Sequence, residues 1–204
     1  LQLQQQLQKR RQLAEKQQRL QAEAAAKKAE ADNLASQQEL LDLQNGLTAY
    51  YEGAYSEAYR FLAPLAAQGD PRAQVRVARM LITARGVQRD EGEAIRLFSM
   101  ALPQVQLSAS DGKAWAQSDL GDYFHDGWVI DKDYRNAVYW YRRAAEQGYA
   151  PAQNILGWLY MHGHGVSPDE EMAIKWFRRA AEQGDVTALD NLKVLGKAGV
   201  DSGS

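Results

Sequence analysis

The sequence predicts an all-α protein, an α/α solenoid of stacked helical hairpins preceded by one long helix. Three observations predict it. Residues 116–148 recur 36 positions later as 152–184, a period in the range of helical repeat arrays. Within each copy, apolar and small residues recur at spacings of three and four, which marks helix and not strand. Residues 1–45 hold no Gly, Pro or aromatic residue, and 12 of them are Gln. That composition favours helix but cannot pack a core of its own.

The N-terminal helix carries a thin apolar seam. Leu13, Leu20, Leu34 and Leu41 fall at multiples of seven, with Lys27 in the missing place, and Gln17, Ala24, Ala31 and Gln38 occupy the companion positions. Six of these nine positions are apolar, the pattern of a polar-interrupted coiled coil. A homo-oligomer through residues 13–41 and a solvated single helix or linker both fit. Residues 1–28 carry seven Lys/Arg against Glu15 and Glu23. A nucleic-acid arm shows denser charge, often with interleaved aromatics. The face formed by Leu40, Leu43, Leu47 and Tyr50 predicts that this helix runs on into the first repeat.

Each repeat reads as two helices. Ala116, Gln117, Leu120 and Gly121 match Ala152, Gln153, Leu156 and Gly157 in the first helix, and Ala137 and Trp140 match Ala173 and Trp176 in the second. Arg142 to Gly148 returns unchanged as Arg178 to Gly184. An earlier copy, beginning at Ala73-Gln74, stands 43 residues ahead, with the surplus seven in Leu102–Lys113. Asp70, Asp185, Asp90, Asp133 and Asp169 suit helix N-caps, and Gly69, Gly148 and Gly184 suit left-handed helix ends. Reversals are expected near Gly53, Gly86, Gly127 and Gly163. The expected division is a helix over 1–45, a half-unit 46–69, repeats 70–111, 112–148 and 149–184, a cap helix 185–197 and a flexible tail 198–204. Trp140 and Trp176 are expected in equivalent buried places, with Tyr141 and Phe177 beside them.

These residues resemble the Sel-1-like repeat, a relative of the tetratricopeptide repeat. The pattern stands as Ala152-Gln153, Leu156-Gly157, Tyr160, Gly163-His164-Gly165-Val166, Asp169, Ala173, Trp176 and Arg179 to Gly184. It covers 112–184 fully and 46–102 more loosely, and it is absent from 1–40. Leu189 and Lys193 depart from it, which implies a capping helix and not a fourth unit. The resemblance implies a right-handed solenoid that serves as a scaffold or adaptor and holds a partner protein or peptide on its inner surface. Export to the periplasm or beyond is common among bacterial members, which gives the expectation of a cell-envelope or secreted location.

Composition narrows the chemistry. With 24 basic and 26 acidic residues the net charge is −2, and there is no Cys among the 204 residues. Disulfide scaffolds, zinc–thiolate sites, iron–sulfur clusters and thiol nucleophiles are excluded. No apolar run approaches a membrane span, so no direct membrane insertion is expected. The chain starts at Leu1, so a piece of a longer protein is expected. His162-x-His164 with Asp169 reads as a polar reversal loop, since no third strong ligand follows at defined spacing. Asp131 to Arg142 fails as a calcium loop, with Asn136 at the glycine place and Arg142 at the glutamate place. No Ser, His and acid set emerges; His125-Asp126 reads as a surface pair. No catalytic residue, metal site or cofactor is expected.

A residue that breaks the repeat is free to serve function. Trp158 does so, since its equivalents are Asp122 and Arg79. By analogy with the tetratricopeptide hairpin, the first helices line the concave surface. The groove-facing set is then Val75, Arg79, Ile82, Ser118, Asp122, His125, Asn154, Trp158 and Met161, with Trp158 as anchor and Asp122 and Arg79 as opposite charges along the groove. The reading that follows is a non-catalytic adaptor for a protein or peptide. Two alternatives are an accessory domain attached to a missing upstream domain and a helical-repeat RNA binder. Residues 46–204 carry 17 basic and 20 acidic residues, which argues against nucleic acid.

Overall fold

Aspartate side chains mark where five of the helices begin. The computed structural model describes the backbone of residues 2–196 and the side chains of 16–196. Leu13 of the seam and the expected tail at 198–204 therefore lie outside the described side chains. Among the described residues there are nine helices and no strand: α1 (Gln2–Tyr51), α2 (Tyr55–Gln68), α3 (Pro71–Thr83), α4 (Glu91–Ser110), α5 (Ala114–Asp126), α6 (Tyr134–Glu146), α7 (Ala150–His162), α8 (Glu170–Ala181) and α9 (Val186–Val194). Asp70, Asp90, Asp133, Asp169 and Asp185 each accept backbone N–H bonds at the start of a helix. Such caps satisfy donors that the first helical turn leaves orphaned.

Consecutive helices pack on one another, and the hairpins α3/α4, α5/α6 and α7/α8 stack in chain order. The repeated glutamines join one hairpin to the next. Gln74, Gln117 and Gln153 each donate from Nε2 to a carbonyl near the end of the preceding helix, Ala66, Ala109 and Ala145, at 3.0–3.2 Å. Gln147 and Gln183, from the Glu-Gln-Gly endings, donate in turn to the Oε1 of Gln117 and Gln153 at 2.7 Å. A buried amide met on both sides in this way is a reason for the motif to repeat. Leu189, which replaces the next glutamine, ends the ladder.

Gly121 and Gly157 let the two helices of a hairpin approach closely. A Cβ at either would lie 2.8 Å from a ring carbon of Tyr141 or Phe177, so the aromatic ring packs on bare backbone. Tyr141 and Phe177 are correspondingly 1% and 2% exposed. The core falls into two clusters, one from α1 to α5 and one from α6 to α9, with Phe124 packed against both.

Several expectations are corrected. Trp176 is buried, but Trp140 is only half-buried. It packs against the cluster that contains the diverged first repeat, whose side chains do not reproduce those around Trp176; Tyr141 and Phe177 are the pair sharing an equivalent, fully enclosed place. The surplus seven residues lengthen α4 to 20 residues against 13 in α6, about two extra turns. α1 runs unbroken into the first hairpin, but Leu40 is exposed and the packing starts at Leu43. Residues 16–41 of α1 are exposed throughout.

Candidate binding cleft

Equivalent positions of the first two repeats carry opposite charges. Arg76 and Arg79 on α3 correspond to Asp119 and Asp122 on α5, 43 residues on. Stacking brings each pair together: Arg76 Nη1 meets Asp119 Oδ1 at 2.7 Å, and Arg79 Nη2 meets Asp122 Oδ2 at 3.0 Å. Arg79 Nη2 also reaches Asp126 Oδ2 at 2.8 Å. The expected display of Arg79 and Asp122 as separate charges along a groove is therefore corrected, because they hold each other. The Tyr141 hydroxyl donates to Asp122 Oδ1 at 2.5 Å, and His125 Nδ1–H donates to Asp126 Oδ1 at 2.7 Å.

In the third repeat the charges stop. The equivalents of Asp119 and Asp122, 36 residues on, are Ile155 and Trp158. Between this change and α9 lies a cleft of about 340 Å³. Arg79, Asp122, Asp126 and Tyr141 form its charged side, and Ile155 and Trp158 its apolar side. Asn154 and Asn191 close it, with Asn191 Nδ2 donating to Asn154 Oδ1 at 3.1 Å.

Electrostatically the charged side is short of cations. Burial, then the neighbouring carboxylates of Asp119 and Asp126, push the Asp122 carboxyl up to about 6 despite Arg79. Burial also works against ionised Asp126, but the bonds from His125 and Arg79 outweigh it and hold that carboxyl below the usual range. Burial opposes the charge on Arg79, yet Asp122 and Asp126 more than offset it and keep the guanidinium protonated.

The histidines gather around Trp158. His162 stacks on it, with ring centroids 4.3 Å apart, and its Nδ1–H donates to the Trp158 carbonyl at 2.9 Å. His164 and His125 meet the indole edgewise at 4.9 and 6.0 Å. All three histidines of the chain thus surround one indole. Among the described residues no group of three or more His, Asp or Glu is arranged to hold a metal, and no helix is long and apolar enough to cross a membrane.

Of the expected groove set, Arg79, Asp122, His125, Asn154 and Trp158 line the cleft. Val75, Ile82 and Ser118 do not; they are buried, at 0%, 8% and 3% exposure. The reason is that the first helices pack on both neighbours, so a position one turn from the outer face is already inside. Met161 is half-buried against the second core cluster. Sequence reasoning missed Asp126, Tyr141, Ile155, Thr187 and Asn191. The opposite charges at equivalent positions were a usable signal for part of this. For α9 the sequence offered only the opposing reading of Trp158, as a structural residue packed on the cap helix through Ala188 and Leu192, and Trp158 does pack against the cluster that holds both.

The sequence pattern of the Sel1 repeat family matches residues 71–102, 116–149 and 150–185. The chain belongs to the Sel1 repeat family. Proteins of this family are generally non-catalytic scaffolds for protein interactions. None of the curated proteins compared matches the chain. Among solved structures, a Sel1 repeat protein from Oxalobacter formigenes is 27% identical, covering 76% of this chain and 54% of its own, with a TM-score of 0.44. The protein c5321 of uropathogenic Escherichia coli, a protective antigen with the same repeat fold, is 23% identical over 82% of this chain and 44% of its own, with a TM-score of 0.43. Cysteine-rich protein B of Helicobacter pylori is 20% identical over 67% and 92%, with a TM-score of 0.41. The chain thus spans about half the length of the first two.

Proposed function

We propose that this Sel1 repeat chain is a non-catalytic adaptor that docks a segment of a partner protein in the cleft between α5, α7 and α9. The observation that carries the reading is the placing of Trp158. It breaks the repeat, stands half-buried, and shares the cleft with an amide pair and a charged wall. Large aromatics in such settings commonly carry about 2 kcal/mol or more of binding when truncated. The amides of Asn154 and Asn191 supply donors and acceptors for the backbone of an extended segment.

The test recovers partners by pull-down with the full chain, then compares affinity and thermal unfolding for the wild type, Trp158→Ala and Asn154→Ala. The expected result is loss of affinity in both variants, with Asn154→Ala melting close to the wild type. Unchanged affinity of both variants for every recovered partner rejects the cleft as the docking place.

A further inference from the structure

The cleft has a charge requirement that its own residues leave unmet. The arginine–aspartate ladder runs from α3 to α5 and then stops, because α7 offers Trp158 in the register place of Arg79 and Asp122. Arg79 is the one guanidinium in the cleft lining, and it faces two carboxylates, Asp122 and Asp126. Each carboxylate oxygen has a single protein partner: Arg79 and Tyr141 for Asp122, Arg79 and His125 for Asp126. An ionised carboxylate has about four acceptor sites, so each oxygen can take a further donor from the open side. The other charged groups nearby do not fill this role. Arg76 is spent on Asp119 and the Tyr51 hydroxyl. Lys132 approaches Asp126 from the α5–α6 loop, but it is exposed, lies over Tyr134 at 5.5 Å, and is no part of the cleft wall.

Resting on the docking reading above, we propose that the cleft selects a partner segment by a Lys or Arg side chain, seated between the Asp122 and Asp126 carboxylates and the indole of Trp158. The cation takes the place that a third arginine would hold if the ladder continued into α7. A cation beside paired carboxylates gains charge-assisted hydrogen bonds, and an aromatic neighbour adds attraction to it. Asn154 and Asn191 then meet the backbone on either side. An acidic segment would meet two carboxylates in a partly desolvated pocket, where like charges repel strongly. Burial first, and the carboxylates of Asp119 and Asp126 after it, raise the Asp122 carboxyl, and a cation bound beside it would bring it back down.

The probe is a set of extended heptapeptide libraries, acetylated and amidated, randomised except for a central residue fixed as Arg, Lys, Gln or Glu. Binding to the full chain is measured by calorimetry at low and moderate salt. The expected result is affinity for the Arg and Lys libraries at least about tenfold above that for Gln, weakest binding for Glu, and a preference that shrinks with salt. Asp126→Asn, at a partly exposed side chain, is expected to abolish most of the preference while the Gln library still binds as it does to the wild type. That separates the charge effect from the modest fall in melting temperature that losing the ionised carboxylate beside Arg79 and His125 brings. Trp158→Phe serves as a second variant and is expected to weaken the basic libraries without reversing their order. Equal affinity across the four libraries, a preference for Glu, or an unchanged preference in Asp126→Asn overturns the cation selection. If Gln and Glu libraries bind equally well and that binding is lost in Trp158→Ala, the docking reading survives and only the charge requirement fails. Binding of none of the libraries overturns both.

Discussion

Arg76 and Asp119 occupy equivalent positions in successive repeats and pair with each other at 2.7 Å, with side chains 5% and 1% exposed. The same guanidinium donates from Nη2 to the Tyr51 hydroxyl at 2.8 Å, which in turn meets the Tyr149 hydroxyl at 2.7 Å. One side chain on α3 therefore ties the end of α1 to α5 and to the residue that precedes α7. Burial works against the charge on Arg76, but Asp119 outweighs it and keeps the guanidinium ionised. Asp119→Ala leaves that charge without its counter-ion. The expected loss is about 3–5 kcal/mol, the usual cost of breaking a buried pair from one side. Replacing both partners, as Arg76→Met with Asp119→Leu, is expected to cost much less, because no lone charge remains. Chemical denaturation of the single and the double variant checks this. Equal losses in the single and double variants would mean that the pair is not what holds these helices.

The two tryptophans of the repeated second helices are expected to differ. Trp176 is buried, and Trp140 is half-buried with its indole beside Arg143 at 5.8 Å. Trp176→Ala empties a core site and is expected to cost about 3–5 kcal/mol. Trp140→Ala removes a partly solvated ring and is expected to cost below about 2 kcal/mol. Urea denaturation of each variant measures the difference, and equal losses would reject the contrast.

The exposed length of α1 carries the leucine seam, and a coiled coil with a second copy is the expectation to test. Leu20, Leu34 and Leu41 are 55%, 67% and 48% exposed, and they share the seven-residue spacing of a coiled-coil seam. The helix of 50 residues is about 75 Å long, and isolated helices gain little stability without packing of an apolar face. The full chain is expected to sediment as an oligomer at micromolar concentration, and a version starting at Leu40 as a monomer. Equal monomer masses for both would reject the seam and leave a linker.

What the sequence displayed was the repeat itself: the aspartate caps, the glycines under Tyr141 and Phe177, and the paired glutamines all follow from the 36-residue period. Half of the cleft was visible as well, because Trp158 breaks that period. Burial of Ser118 and Ile82 was not visible. Register shows which positions are equivalent but not how deeply neighbouring helices cover them. The gathering of His125, His162 and His164 on one indole depends on where two separate helix ends land, and local sequence does not encode that. The pairing of Arg79 with Asp122 stands between these cases. Opposite charges at equivalent positions are written in the sequence, but only the short distance between stacked helices turns them into contacts.

The pH dependence of stability tests that pairing directly. Asp122 ionises near the ordinary aspartate value of 3.8 when unfolded and at about 6 in the fold, through burial above all and the carboxylates of Asp119 and Asp126 behind it, against Arg79 and the Tyr141 hydroxyl. Between about pH 4 and 6 the folded chain therefore binds more protons at this group than the unfolded chain. The stability slope with pH follows the difference in bound protons, so this contribution is full below about pH 4 and is lost as pH rises through 6. Asp126, held below its usual range with His125 and Arg79 against it, runs the other way and loses its contribution as pH falls through its folded value. The readout is accordingly a difference: the unfolding free energy of wild type minus that of Asp122→Asn, measured by urea denaturation from pH 4 to 8. Asparagine cannot ionise but still offers an oxygen to one of the two donors that hold Asp122. The variant is expected to lose stability near pH 4, where the wild-type carboxyl is protonated in the fold. The gap is expected to be widest near pH 4 and to narrow steadily up to about pH 7, as the wild type takes on the cost of a second carboxylate beside a single guanidinium. A gap that stays constant with pH would mean that Asp122 ionises alike in the folded and unfolded chain, and that Arg79 balances the charged wall without help.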